Sequence, residues 1–327
     1  MIQFQYERAV TAKAAISGLA NNANAKFIAG GTNLIDLMKR NVMAPTKLVD
    51  INAVPLKDIQ QQGGKISIGA LALNSAVADH KLILEKHPLL AQALNAGASA
   101  QIRNMATVGG NMMQRTRCPY FYDTALPCNK REPGSGCGAL EGLNRMHAIF
   151  GTSEQCIAVH PSDMCVALVA LDASVVVAGP KGERRIPFEE FHRLPGNQPE
   201  KDHTLQNNEM IISVEIPDNA FSKNAHYFKV RDRASYAFAL VSVAAALHMD
   251  GKVIKEARLA MGGVAHKPWR LKEAEQALAG KPATEETFRQ AAEIAMRGAK
   301  AFKYNAFKLK LGPNVIVEAL KNAAGLV

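Results

Sequence analysis

Lys26-Phe27-Ile28-Ala29-Gly30-Gly31-Thr32-Asn33-Leu34 is the stretch on which the reading of the fold turns. A short apolar run suited to a strand enters two glycines, a hydroxyl residue and an amide, and an apolar helix is expected over 34–38. Paired glycines let a backbone approach phosphate closely, and a helix start presents unpaired N–H groups. Thr32 or Asn33 is expected to cap that helix and to donate to a phosphate oxygen. The same residues read equally well as a plain capped strand-to-helix turn. The pattern is neither G-x-G-x-x-G nor a P-loop with its lysine, which disfavours a hydride-transferring Rossmann domain.

A second loop, Asn104-Met105-Ala106-Thr107-Val108-Gly109-Gly110-Asn111, repeats the ingredients. Two such loops could grip one pyrophosphate from opposite sides. Around them, the chain reads as a small α/β unit to about residue 55: strands over 2–6, 26–29 and 47–50, and a helix over 11–19. A strand over 66–69 and helices over 74–79 and 87–97 follow, and then a segment over 115–155 without periodicity. A loop of that length is normally functional or braced by a ligand. Order is expected again from 156, with an apolar helix over 164–171 and strands over 173–178 and 210–216. The Pro/Asp/Asn/Ser/Lys stretch 217–224 is the linker candidate. Strands over 227–230, 237–249 and 255–261 and helices over 271–279, 285–299 and 315–323 complete the chain.

Composition bounds the rest. The 327 residues are 48% hydrophobic and 21% charged, an ordinary globular balance. No apolar run approaches the ~18 residues of a membrane span, and the opening MIQFQYERAV has no secretory pattern. The net charge of +10 comes from scattered lysines and arginines, a solvated surface rather than a nucleic-acid face. The one local basic cluster is Arg115, Arg117, Lys130 and Arg131.

Three motifs together with the ending carry a resemblance. AGGTNL near 30, RNMATVGGN near 110, HPSDMCVALVALDA from 160 and LAMGGVAHKPWR at 259–270 resemble the flavoprotein subunits of the xanthine dehydrogenase and carbon monoxide dehydrogenase family. TRCPYFYDTALPCNK closely resembles the flavin subunit of periplasmic aldehyde oxidoreductases and, more loosely, that of 4-hydroxybenzoyl-CoA reductase. The resemblance implies an α+β chain: a two-part FAD-binding domain of the vanillyl-alcohol-oxidase (PCMH) type, then a C-terminal α/β domain of the CO dehydrogenase flavoprotein type. The parts would be 1–55, 56–220 with an iron–sulfur loop over 115–156, and 221–327.

By the same resemblance, Phe27, Ile28, Ala29, Gly30, Gly31, Thr32, Asn33 and Leu34 would hold the FAD pyrophosphate together with Ala106, Thr107, Gly109, Gly110 and Asn111. Asp163 would accept from adenosine or ribitol hydroxyls, or else cap the helix before Met164. Lys229 would lie near the flavin ring, or else form an exposed salt bridge. Asp123 stands where the family has an aspartate after the second loop, displaced here by an insertion.

Cys118, Cys128, Cys137 and Cys156 have nine, eight and eighteen residues between them, neither a ferredoxin run nor a zinc finger. They sit in a loop of little apolar content, where thiolates on a metal centre would supply cross-links and the basic cluster would offset charge. Disulfides, a zinc ion or independent buried cysteines would also account for them. The resemblance implies a 4Fe–4S cluster on these four. Cys165, inside an apolar run, reads as core.

His147, His160 and His266 lack a carboxylate or nucleophile at catalytic spacing and read as structural. Met112, Met113 and Met146 read as packing residues, and Trp269 as core or docking. The implied role is an electron relay: FAD collects electrons from a large molybdenum-cofactor subunit and a small 2Fe–2S subunit, in a heterotrimer or its dimer, and delivers them to an external acceptor. Neither nucleic acid nor membrane is expected as a partner. The chain would stay in the cytoplasm, or reach the periplasm with an exported partner. A self-contained flavin oxidase would need its own acid or base, and none is found. A zinc-braced binding module would leave both glycine loops unexplained.

Overall fold

The computed structural model describes residues 1–20 and 22–327. Twelve strands form three sheets among the described residues. The first sheet is parallel: β1 (Gln5–Arg8) and β2 (Ala25–Ile28) flank β3 (Lys47–Asp50), with Tyr6 opposite Leu48 and Phe27 opposite Val49. The crossover from β1 to β2 is the helix Ala12–Leu19, whose first turn is capped by Thr11 accepting from Ala14 N–H. The second sheet is antiparallel, in the order β4 (Ile59–Gln62), β5 (Lys65–Gly69), β8 (Met210–Pro217), β6 (Ser174–Gly179), β7 (Gly182–Pro187). The third runs β12 (Trp269–Arg270), β11 (Val253–Gly262), β10 (Val241–Asp250), β9 (Asn224–Val230).

The sequence of β10 explains its place. Alternate residues of a strand face opposite sides. Val241, Val243, Ala245 and Leu247 enter one core with the helices Lys272–Leu278, Glu285–Ala295 and Phe307–Ala323. Ala244 and Ala246 enter the other core, with the helix Asp163–Ala170. Only small residues suit that second face, because the helix lies close: a Cβ on Gly262 would stand 2.6 Å from Val166 Cγ2. The apolar helix read from the sequence is therefore buried on all sides.

Several expectations shift. The first strand lies over Gln5–Arg8 rather than 2–6, the β10 strand starts at Val241 rather than 237, and the last helix begins at Phe307, eight residues before 315. The helix expected over 285–299 stops at Ala295. Residues 217–224 join β8 of the second sheet to β9 of the third and are packed on the chain. Phe221 is in the core, Asp218 N–H donates to Gly64 O, and Asn219 contacts His87. No helix among the described residues is long and apolar enough to cross a membrane.

Candidate functional site

The two glycine loops touch. Gly30 packs so tightly on the second loop that an added Cβ would fall 1.8 Å from Met105 O. Gly31 has φ +70°, the left-handed region that glycine enters at little cost. The N–H groups of Gly30, Gly31, Thr32 and Asn33 donate to no described residue. Asn33 occupies the N-cap position of the helix Leu34–Lys39, but neither it nor Thr32 caps by side chain, contrary to expectation. Its Oδ1 instead accepts from Arg115 N–H at 2.9 Å, and its buried Nδ2 has no partner.

The second loop behaves differently. Val108 and Gly109 N–H donate to Ala72 and Ala70 carbonyls, Gly110 N–H to Thr107 Oγ1, and Asn111 N–H to Thr107 O. Most of its amides are committed inside the chain, Thr107 N–H excepted, so the first loop carries most of the free donors, while Ala106 and Thr107 of the second are buried.

Asn111 extends the site. Its Oδ1 accepts from Ser162 Oγ at 2.5 Å, and Ser162 caps the helix Asp163–Ala170 by accepting from Cys165 N–H. Ser162 thus does the capping for which Asp163 was the candidate. Asp163 accepts from Tyr227 OH at 2.7 Å and from Lys229 Nζ at 2.8 Å; Lys229 also donates to Ala96 O. The two charged side chains are 7% and 4% exposed, so the pair is buried, not an exposed salt bridge. Burial, with Asp163 adding to it, pushes the Tyr227 phenol well above its usual range, so it stays a hydrogen-bond donor. Beside this pair opens a cleft of about 140 Å³ lined by Asp163, His160, Met146, Phe238, Thr116 and Cys118, among others. Asp123 is exposed and accepts from Ala125 N–H in a local turn.

Cys118, Cys128, Cys137 and Cys156 come together around one small cavity, and all are free thiols. Cys128 and Cys137 face each other in an isolated antiparallel bridge. The loop has more structure than its composition suggests. Phe121 is wholly buried against Leu37 and Val42, and Arg131 donates to the carbonyls of Tyr120, Phe121 and Leu126. Asn129 holds Gly134 and Gly136 N–H on one side and Gln155 on the other. The basic cluster is mostly engaged elsewhere: Arg115 and Lys130 pair with Asp202, and Arg117 with Asp36. Burial pushes the Asp202 carboxyl up, but Lys130 and Arg115 together hold it well below the usual carboxylate range.

Burial pushes the Cys118 thiol up to about 12 and Cys156 to about 11, so a metal centre would have to take the place of their protons. Four tetrahedral sulfurs on one zinc, at about 2.3 Å, stand roughly 4 Å apart. Among the described residues the only His, Cys, Asp or Glu group with three ligand atoms mutually within 4.8 Å is His160, Cys165 and His192, so no three of the four cavity sulfurs are that close.

Residues 2–219 match the FAD binding domain in molybdopterin dehydrogenase, and residues 226–321 match the CO dehydrogenase flavoprotein C-terminal domain. The chain is a member of this family, an FAD-binding medium subunit of the molybdenum hydroxylases. It is 47% identical over 326 residues, 99% of each chain, to the aldehyde oxidoreductase FAD-binding subunit PaoB of Escherichia coli (strain K12). It is 28% identical over 282 residues, 85% of this chain and 82% of the other, to the glyceraldehyde dehydrogenase medium chain of Sulfolobus acidocaldarius. Among solved structures, carbon monoxide dehydrogenase from Hydrogenophaga pseudoflava matches with a TM-score of 0.78 at 25% identity, over 99% of both chains. The expected fold and the expected oxidoreductase family are thereby found.

The geometry of this medium subunit also gathers residues that have no site role by sequence alone. Tyr227 and Ala96 O complete the Asp163–Lys229 contact, and His147 Nε2 lies 3.1 Å from Cys118 Sγ. Trp269 stacks on Phe150 at 5.1 Å, partly buried against the C-terminal core. Met146 lines the cleft, whereas Met112 is core.

Proposed function

We propose that this medium subunit binds FAD in an extended strip from the Gly30 loop to the Asp163–Lys229 pair and a 4Fe–4S cluster on Cys118, Cys128, Cys137 and Cys156. It would receive electrons from a large molybdenum-cofactor subunit and a small 2Fe–2S subunit and pass them to an external acceptor. The observation that carries the reading is a shared wall: Thr116 and Cys118 line both the cleft and the cysteine cavity. The division at about residues 55 and 220 belongs to the same reading.

FAD would supply the exchange between two-electron and one-electron carriers. The chain's part is to bind and orient. The free N–H groups over 30–33 meet the charge of a pyrophosphate, and Gly30 lets their loop seat against the second one. Asp163 has both oxygens occupied by donors, yet each retains a lone pair for a flavin hydroxyl. Lys229 stands behind the cleft-lining Asp163, to which it donates, and Met146 and Phe238 give the cleft apolar lining. The likeness to an aldehyde oxidoreductase subunit supports an aldehyde as the substrate of the whole complex.

The test is a visible spectrum of the anaerobically purified chain, with iron, zinc and acid-released flavin assayed on the same sample. Flavin bands over a broad thiolate–iron shoulder, with about four irons per chain, support the reading, and Cys128→Ser should remove the shoulder and spare the flavin. Flavin with zinc and no iron would sink the cluster and keep the flavin site. A colourless chain that FAD and iron cannot reconstitute would overturn both.

A further inference from the structure

His160, Cys165 and His192 offer three ligand atoms within 4.8 Å of one another, apart from the four-cysteine cavity. His160 and Cys165 flank the capped start of the helix Asp163–Ala170, and His192 follows the turn Phe188–Phe191. The two imidazoles approach with ring centroids 4.2 Å apart.

The hydrogen bonding of these rings is incomplete in a particular way. His192 Nε2 meets the carbonyl of Met112 at 2.9 Å, which puts its proton on Nε2 and leaves Nδ1 as a bare lone pair. That Nδ1 is buried and has no partner, and the same is true of His160 Nε2. A histidine that binds a metal through one nitrogen typically donates its other N–H to a backbone carbonyl, as His192 does here. Cys165 is wholly buried, and its sulfur stands beside the Ser162 hydroxyl.

We infer that His160, His192 and Cys165 form a buried site for a cation of the zinc class, bound by two imidazole nitrogens and one thiolate. Imidazole and thiolate together select such borderline-soft ions over calcium or magnesium. Binding releases the Cys165 proton, so one proton leaves for each divalent ion taken up. The ion would join the helix that carries Asp163 to the Phe188–Phe191 segment. This inference does not depend on the flavin or cluster reading.

The test titrates the metal-stripped full chain with Zn²⁺ and, separately, with Co²⁺, in wild type and in Cys165→Ala, His192→Gln and Cys128→Ser. The expected result is about one zinc per chain beyond whatever the four-cysteine cavity takes, kept in Cys128→Ser and lost in His192→Gln and Cys165→Ala. The cobalt form should show a thiolate charge-transfer band that Cys165→Ala abolishes. Cys165→Ala removes one buried atom and keeps the core filled, so retained flavin and secondary structure would separate loss of metal from loss of fold. Zinc uptake identical in Cys165→Ala and wild type, or no uptake by Cys128→Ser at micromolar zinc, would overturn the site.

Discussion

Gly30 and Met105 meet at a point where no side chain fits: a Cβ on Gly30 would lie 1.8 Å from the Met105 carbonyl oxygen. The two glycine loops are thus joined through backbone alone. Gly30→Ala must force them apart and displace the free N–H groups beside it. Flavin content of the purified chain should fall, and the affinity for added FAD should drop at least tenfold, about 1.4 kcal/mol. Unchanged flavin occupancy in Gly30→Ala would mean that this junction does not shape the flavin site.

The Asp163–Lys229 pair is buried on both sides. Removing one partner of a buried pair leaves an uncompensated charge and costs about 3–5 kcal/mol. Lys229→Met is expected to lower the denaturation midpoint by an amount in that range and to weaken flavin binding. Adding Asp163→Asn to it should recover part of the stability, since the orphaned charge is then gone. Urea unfolding of the single and double variants distinguishes this pattern from simple additivity.

Acid should unfold the protein through its buried histidines. Burial holds His87 and His203 down to about 4, so both are neutral in the folded chain near pH 5 while the unfolded chain is protonated. The unfolded state then binds more protons, and stability falls as pH drops from about 6.5 towards 4. A depression of this size corresponds to about 3 kcal/mol per histidine. His87→Gln should flatten part of that slope, which a series of unfolding midpoints between pH 7 and 4.5 would read.

Asn129 ties the segments that carry three of the four cavity cysteines, through Gly134, Gly136 and Gln155. Asn129→Ala is expected to lower bound iron to less than about half and to open the loop to protease, with flavin content unchanged. Loss of flavin along with iron would instead mean that the loop holds the cleft together.

Much of this site was legible because it is local. Gly30-Gly31 and Gly109-Gly110 announce close backbone approach wherever they fall, and the confinement of Cys118, Cys128, Cys137 and Cys156 to one segment announced a cluster of thiols. What was hidden depends on long-range contacts. Nothing within 26–34 tells that Asn33 turns from its helix to Arg115, eighty-two residues on. Asp163 and Lys229 are sixty-six residues apart, and their burial follows from how β9 passes the Asp163 helix. Cys165 read as core and is core, but its neighbours His160 and His192 come from either side of it in the chain. The insertion that displaces the family's aspartate leaves Asp123 in a surface turn.

β10 gives one face to each of two cores, and that has a consequence for protein engineering. The last hundred residues cannot be exchanged between medium subunits as a cassette. A graft beginning near residue 221 would bring its own Tyr227, Lys229, Ala244 and Ala246 against a host helix selected for other partners. A working chimera has to carry 160–173 along with the C-terminal third, so that seam and recombination point are set by the sheet rather than by the stretch 217–224.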